Sequence, residues 1–406
     1  MITPSSAELE ALLTLQHQPS PLRICSGGTT SRCAADQHWT VDLSLEHRTI
    51  HLNADRSRVR LGAGLTMGEI QAELAKSHRM IPTGLSGLPG AGFLLSGGMG
   101  PLSRSLGLAM DHLQAVTGLW GNGTRFSLER PIGQDHPGAA GHPGWRGLLG
   151  AGLFLAAVES FELDTTPLLP LTVQQGCLST DELATLIQEA EHFPEGLSLQ
   201  WCWGREREVM LVSRADDPHS QAQLDQLSCD FKLPARHRTA LKGLHGLPAF
   251  GALATDPRPQ EQPHQEVLGV LGPRWGEATT ALIQALAEAM ACRPHPRCSI
   301  ASQQLGGAVA RQAANQSAFI HRQAEWKPWI TAAWRAGDRQ GRVRSLAWLA
   351  QVWSLLQPHC PGVHLAQLHD HLPWHQRTVE GAFGHQLPFL RKLKRELDPE
   401  GRLPSL

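Results

Sequence analysis

PTGLSGLPGAGFLLSGGMGPLSRSLGLAMDH, residues 82–112, holds eight glycines in thirty-one positions, more than a helix or a strand tolerates without loss of stability. Glycine lets the backbone take positive φ and approach another group closely. A run of it also leaves amides free to face an anionic ligand. The stretch reads as one wall of a cofactor site.

Two further loops share this chemistry. Upstream, PLRICSGGTTS is a brief strand around Leu22 and Ile24 running into Ser26–Ser31, a loop with two glycines and four hydroxyls suited to phosphate oxygens. Downstream, Gly150-Ala-Gly152 reads as a glycine turn leading straight into the apolar run that ends Ser160-Phe-Glu-Leu163. Each of the three loops abuts a strand.

The elements between them are consistent with an α+β fold. Residues 7–16 suit a short amphipathic helix. WTVDLSLEHRTIHL and SRVRLGAG alternate like strands, and Thr66 caps a helix whose apolar face is Met67, Ile70 and Leu74. HLQAVTGLWGNGTRFSL is a hairpin about Gly121-Asn-Gly123, followed by a loop over 131–144. The Pro-rich TTPLLPL reads as a linker, after which a capping box at Ser179–Glu182 starts a helix reaching toward Phe193. LSLQWCWG, REVMLVS, SIASQQLGGAVA and NQSAFIH read as sheet, and residues 214–263 as a polar, Pro-containing stretch without a clear element that includes loops over a substrate pocket. Helices follow at 276–291, over SLAWLAQVWSLLQ, and over LPFLRKLKRELDPEG.

Composition narrows the function. A chain of 406 residues suffices for two domains with well-buried cores. A formal charge of −1 gives no electrostatic footprint for nucleic acid or an anionic membrane. Neither an export signal nor an 18-residue apolar run is present, so a soluble cytoplasmic protein is expected, its eight scattered cysteines free thiols. Gly62-Ala-Gly64, Gly90-Ala-Gly92 and Gly150-Ala-Gly152 begin like dinucleotide-binding fingerprints. The third glycine position is Met67, Leu95 and Leu155, however, and no GxxxxGK[ST] or GxSxG occurs. Cys292, His295 and Cys298, like His369, His371 and His375, lack a zinc spacing with a second half, so no metal is expected.

The order of features resembles the FAD-linked oxidase family of berberine bridge enzyme, vanillyl-alcohol oxidase and p-cresol methylhydroxylase. Ser26-Gly-Gly28, Val41-Asp-Leu-Ser44, Gly62-Ala-Gly64, the 82–112 stretch, Ser160–Leu163, Leu305-Gly-Gly-Ala308 with Ala318-Phe-Ile-His-Arg322, and Ala382-Phe-Gly384 carry it together. The resemblance implies a two-subdomain FAD-binding domain of the p-cresol methylhydroxylase type at 1–165, an α+β substrate domain with an antiparallel sheet at 166–375, and a return segment at 376–406. It further implies FAD contacts from Ser26, Gly27, Gly28, Thr29, Thr30, Ser31, Ser86, Gly90, Ser96, Gly97, Gly98, Met99, Asp111, His112, Gly150, Gly152, Ala156, Ala157 and Val158.

Two departures from the family pattern carry chemistry. Many relatives bond a histidine to the flavin 8α-methyl where this chain has Thr29, and some bond a cysteine to C6 at the place of Ser86, so dissociable FAD is expected. Relatives often use a tyrosine as catalytic base, and this chain has none; His371 or His375 is expected to take that role, with His321 a second pocket residue. The activity implied is removal of hydride from an alcohol or amine carbon of a small molecule, with O2 or another acceptor reoxidising the flavin. The alternative is a catalytically degenerate FAD-binding protein of the same fold. An NADPH-dependent reductase fits less well, because Leu305–Arg322 resembles the oxidase branch.

Overall fold

Three helices begin with the same reciprocal cap. Ser5 with Glu8, Thr66 with Glu69 and Ser179 with Glu182 each satisfy two backbone amides that a helix start leaves without partners. The structure, a computed structural model, describes residues 1–15, 21–33, 38–131, 142–251 and 263–406. Part of the loop expected at 131–144 and part of 214–263 lie outside the described residues.

Two sheets organise the chain. The first has five antiparallel strands in the order Ile50–Leu52, Arg58–Gly62, Ala156–Asp164, Leu113–Trp120 and Arg125–Glu129. Its central strand pairs on both sides, and Val59, Leu61, Val116, Leu119, Phe161 and Leu163 point into one core. The helix Met67–Lys76 buries Met67, Ile70 and Leu74, the face its spacing predicts. A separate parallel pair, Arg23–Cys25 with Thr40–Asp42, carries the hydroxyl-rich loop on its end.

The second sheet has eight antiparallel strands, in the order Arg238–Lys242, Pro170–Cys177, Arg207–Arg214, Leu197–Trp203, Ser299–Gln304, Trp326–Trp334, His264–Leu271 and Gly362–Val363. Thr180–Ala190, Thr279–Ala291 and Arg339–Leu356 form a helical layer against it. Ser345 Oγ donates to Ala333 O at 2.7 Å and Trp348 Nε1 to Ala289 O at 2.8 Å. The sheet's other side meets the glycine stretch through Arg104, which is 3% exposed. Its guanidinium pairs with Glu325 at 2.5 Å and donates to the carbonyls of Leu197, Leu305 and Phe193. Four of its five N–H donors are thus used, which makes it a buried ion pair of good geometry.

The last helices return to the first sheet. His375–Phe383 leads into Leu387–Leu397, which packs on the helix Pro143–Leu155 so closely that a Cβ on Gly147 would lie 2.5 Å from Leu393 Cδ2. Leu22 N donates to Arg402 O at 2.7 Å, and Asn122 N to Leu397 O at 2.8 Å.

Several elements differ from the sequence reading. Residues 143–155 are a helix and not a turn before a strand. It kinks where Leu149 takes ψ 81° and Gly150 takes φ +120°, and the glycines that suggested a loop serve this kink and the close helix packing. The presumed linker contributes the strand Thr166–Pro167 and runs into Pro170–Cys177. Within 214–263 lie the helix Pro218–Asp230 and the strand Arg238–Lys242. NQSAFIH is not sheet; Ala314–Gln316 is one 3-10 turn, and Ala308–Arg311 is a short helix. Two strands, His264–Leu271 and Trp326–Trp334, had no sequence signal that stood out: neither alternates, the second being a nearly continuous buried run and the first two exposed residues followed by a mostly buried stretch.

Candidate active site

A cavity of about 360 Å³ lies between the glycine-rich loops and the second sheet. Its first wall is backbone and hydroxyl. Ser26–Thr30 comes from the loop after Arg23–Cys25, and Gly84–Met99 from the stretch that follows the short strand Arg79–Met80. The two pieces touch backbone to backbone: a Cβ on Gly27 would lie 2.1 Å from Gly90 N, so glycine is required there. Backbone bonds fix the second piece, with Met67 N donating to Pro89 O at 2.8 Å, Gly68 N to Gly87 O at 2.9 Å and Ala91 N to Leu65 O at 2.9 Å. Leu153, Ala156, Val158 and Phe161 close this wall from behind.

The opposite wall is made by side chains of the second sheet. Gln303 and Lys327 sit directly across from each other on neighbouring strands, and Trp329 follows two residues on, on the same face. Lys327 is buried, its Nζ donating to Gln303 Oε1 at 2.7 Å and lying 4.9 Å from the centre of the Trp329 ring. Among the described residues no carboxylate lines the cavity. Burial without a counter-charge pulls the Lys327 ammonium down to about 7, so a large share of it is a free amine at neutral pH. His364 stands in the same wall, its Nδ1 within 3.0 Å of Gln367 Oε1. Burial, and then the Lys327 charge, hold this imidazole well below its ordinary value, so it is neutral.

The structure brings together Ser26, Gly27, Gly28, Thr29, Thr30, Ser86, Gly90, Ser96, Met99, Ala156 and Val158 around the cavity. The side chain of Ser31 lies outside the described residues. Gly97, Gly98, Asp111, His112, Gly150, Gly152 and Ala157 do not line it. They serve packing: Asp111 pairs with Arg322 at 2.8 Å, His112 Nε2 lies 2.9 Å from Leu106 O, and Gly150 occupies the helix kink against Phe319.

None of the three histidines expected as base lines the cavity. His321 is half-buried against Gly362, with Nε2 at 2.7 Å from Gly381 O. His371 Nε2 lies 2.9 Å from Glu266 Oε2, and His369 bonds the other oxygen of that carboxylate. Burial opposes the Glu266 charge, yet the two histidine bonds outweigh it and bring the carboxyl down to about 2. His375 faces Asp370, which is itself tied to Arg23 at 2.8 Å. The cluster ties the strand His264–Leu271 to the turn that follows Leu365–Gln367. A sequence reading drawn to titratable residues close together in the chain finds these histidines. It misses Lys327, whose partners lie far away in sequence.

Residues 2–129 match the family model described as an FAD binding domain. Over its first part the chain is similar to FAD-linked oxidoreductases. An FAD-linked oxidoreductase of Penicillium janthinellum is 33% identical over 152 residues, 37% of this chain and 32% of that protein. One from Dictyostelium discoideum is 24% identical over 369 residues, covering 87% of this chain and 75% of that one. The chain thus spans about a third of the first relative's length and three quarters of the second's. BBE-like 1 (BBE, berberine bridge enzyme) of Physcomitrella patens superposes with a TM-score of 0.80 at 16% identity, over 98% of this chain and 88% of the other, which establishes the shared fold.

FAD is the cofactor, and the donor set of the cavity suits it. Hydroxyls of Ser26, Thr29 and Thr30 together with loop amides face the space, Arg32 adds a guanidinium, and no lining carboxylate repels a diphosphate. Thr29 and Ser86, which stand where the resemblance implies flavin attachment, both line it.

Proposed function

We propose that this protein is an FAD-dependent oxidoreductase that takes a hydride from the hydroxyl- or amine-bearing carbon of a small organic substrate, with the FAD held without a covalent bond. The observation that carries the reading is Lys327: a buried amine near neutrality, in the wall of the cofactor cavity, with one amide as its hydrogen-bond partner among the described residues. When bound, FAD supplies the two-electron acceptor. Lys327 Nζ accepts the proton of the substrate hydroxyl or ammonium, and Gln303 Oε1 holds the ammonium so formed. Trp329, Phe93 and Leu95 supply apolar surface that excludes water and raises the worth of that proton transfer. Thr29 and Ser86 carry hydroxyls too weakly nucleophilic to bond the isoalloxazine, which supports dissociable cofactor.

The test is spectroscopic. Protein reconstituted with FAD, then denatured in acid and filtered, is expected to leave all yellow colour in the filtrate. Under anaerobic conditions a panel of primary alcohols, aldoses and primary amines is expected to include members that bleach the oxidised flavin band. Colour retained on the polypeptide overturns non-covalent binding. Absence of bleaching across the panel, in protein that binds FAD stoichiometrically, favours the degenerate FAD-binding reading.

A further inference from the structure

The parallel pair of strands that opens the chain places two thiols at the mouth of the hydroxyl loop. Cys25 ends the strand Arg23–Cys25, and Cys33 ends the 3-10 turn Ser31–Cys33, so the two close off the loop 26–32 at its base. Their side chains are within hydrogen-bonding reach of each other, and Thr30 Oγ1 lies 3.5 Å from Cys33 Sγ. Cys33 lines the cavity, whereas Cys25 is buried behind it. The loop is held in this shape by Cys33 N donating to Thr30 O at 3.1 Å and by Thr40 Oγ1 donating to Cys33 O at 3.1 Å.

We propose that Cys33 and Cys25 are a peroxide-reactive thiol pair that closes reversibly into a disulfide at the base of the cofactor-binding loop. Cys33 is the attacking sulfur, because it faces the cavity. The Cys25 thiol donates to it, and the Thr30 hydroxyl and the Arg32 guanidinium add to the effect. Together they hold it down to about 5 against burial. The other buried thiols are driven the opposite way, Cys360 up to about 12 by burial and Cys298 upward for the same reason. In the first step the Cys33 thiolate attacks hydrogen peroxide: an S–O bond forms, the O–O bond breaks and hydroxide leaves, giving a sulfenic acid. In the second the Cys25 thiol attacks that sulfur: the S–S bond forms, the S–O bond breaks, and water leaves carrying the Cys25 proton. The two electrons lost by the thiol pair reduce the peroxide. The chemistry stands whether or not the bound flavin reacts with O2.

Exposed Cys177, Cys229 and Cys292 serve as internal controls. The protein is treated with hydrogen peroxide, quenched with an alkylating agent and mapped by peptide mass. The expected result is a Cys25–Cys33 cross-linked peptide, lighter by two hydrogens, that accumulates at least tenfold faster than oxidation of any exposed cysteine and disappears with dithiothreitol. Cys25→Ser is expected to leave Cys33 as a sulfenic acid trapped by dimedone. If the exposed cysteines oxidise first, or if Cys25 and Cys33 both remain alkylatable, the proposal is overturned; the wild-type measurement decides this without dependence on how well the variant folds.

Discussion

Two lysines of this chain, Lys327 and Lys394, are taken out of water in opposite ways. Lys394, with a side chain 12% exposed, sits at the end of the return helix. Its ammonium reaches Asp398 at 2.5 Å and the carbonyls of Phe154, Pro404 and Leu403 at 2.6, 2.9 and 3.1 Å. Lys327 has the Gln303 amide alone among the described residues. A buried charge with a counter-ion and three further acceptors is structural cement, and the protein gains nothing by letting it titrate. A buried amine with one neutral partner is destabilised as a cation, and that cost is tolerated where proton transfer is needed. The pair therefore separates a lysine that holds the fold together from one that the fold holds ready.

The largest effect should come from Lys327→Met. The rate of flavin reduction by a bleaching substrate is expected to fall by roughly 10²–10⁴-fold, the usual worth of a positioned acid or base. In the wild type the same rate is expected to rise with pH through about 7 as the amine loses its proton, and in the variant to be flat across that range. Stability should move the other way. Because Lys327 has a folded value far below that of the unfolded chain, near 10.4, its burial costs most below pH 7 and progressively less between there and 10.4. Lys327→Met should thus unfold at higher urea than the wild type at pH 6, with the gap narrowing at pH 9. An unchanged reduction rate in this variant breaks the comparison.

Lys394→Met is the reverse case. It strands Asp398, which also accepts from Arg402 N at 2.7 Å, and is expected to cost about 3–5 kcal/mol in urea unfolding. Reduction kinetics of whatever folds should be near those of the wild type. Smallest is Gln303→Leu, which removes the single acceptor that favours the charged form of Lys327. The midpoint of the pH–rate profile should shift down by about one unit, the equivalent of ~1.4 kcal/mol. A shift upward would mean that the Gln303 amide does not accept from Lys327.

The same contrast explains what the sequence disclosed. The backbone wall was legible because its chemistry is compositional: glycines and hydroxyls cluster within Ser26–Ser31 and Gly84–Gly100, and eleven residues named from them and from the strand after Leu155 line the cavity. The side-chain wall was not. Gln303 and Lys327 become neighbours only through antiparallel register, and the strand WKPWITAAW, buried along its length and carrying Pro328, has neither alternation nor a turn signal at its start. A lone lysine in such a run reads as ordinary surface. The histidines drew notice for the opposite reason, being close in sequence, and the fold uses His369 and His371 to hydrogen-bond the two oxygens of Glu266.

The closing of the first sheet by the last helix has a consequence for the order of assembly. Leu22 and Asn122 bond to Arg402 and Leu397, and Lys394 fastens onto Phe154. On a ribosome, the cofactor-binding half is therefore made first yet finished last. The eight-stranded sheet and its helices can emerge and pack while residues 1–165 still wait for their final layer. Contacts of such long sequence separation are slow to form. The interval before they do exposes the apolar surface of Leu148, Phe154 and Leu155, which makes that period the one most open to aggregation.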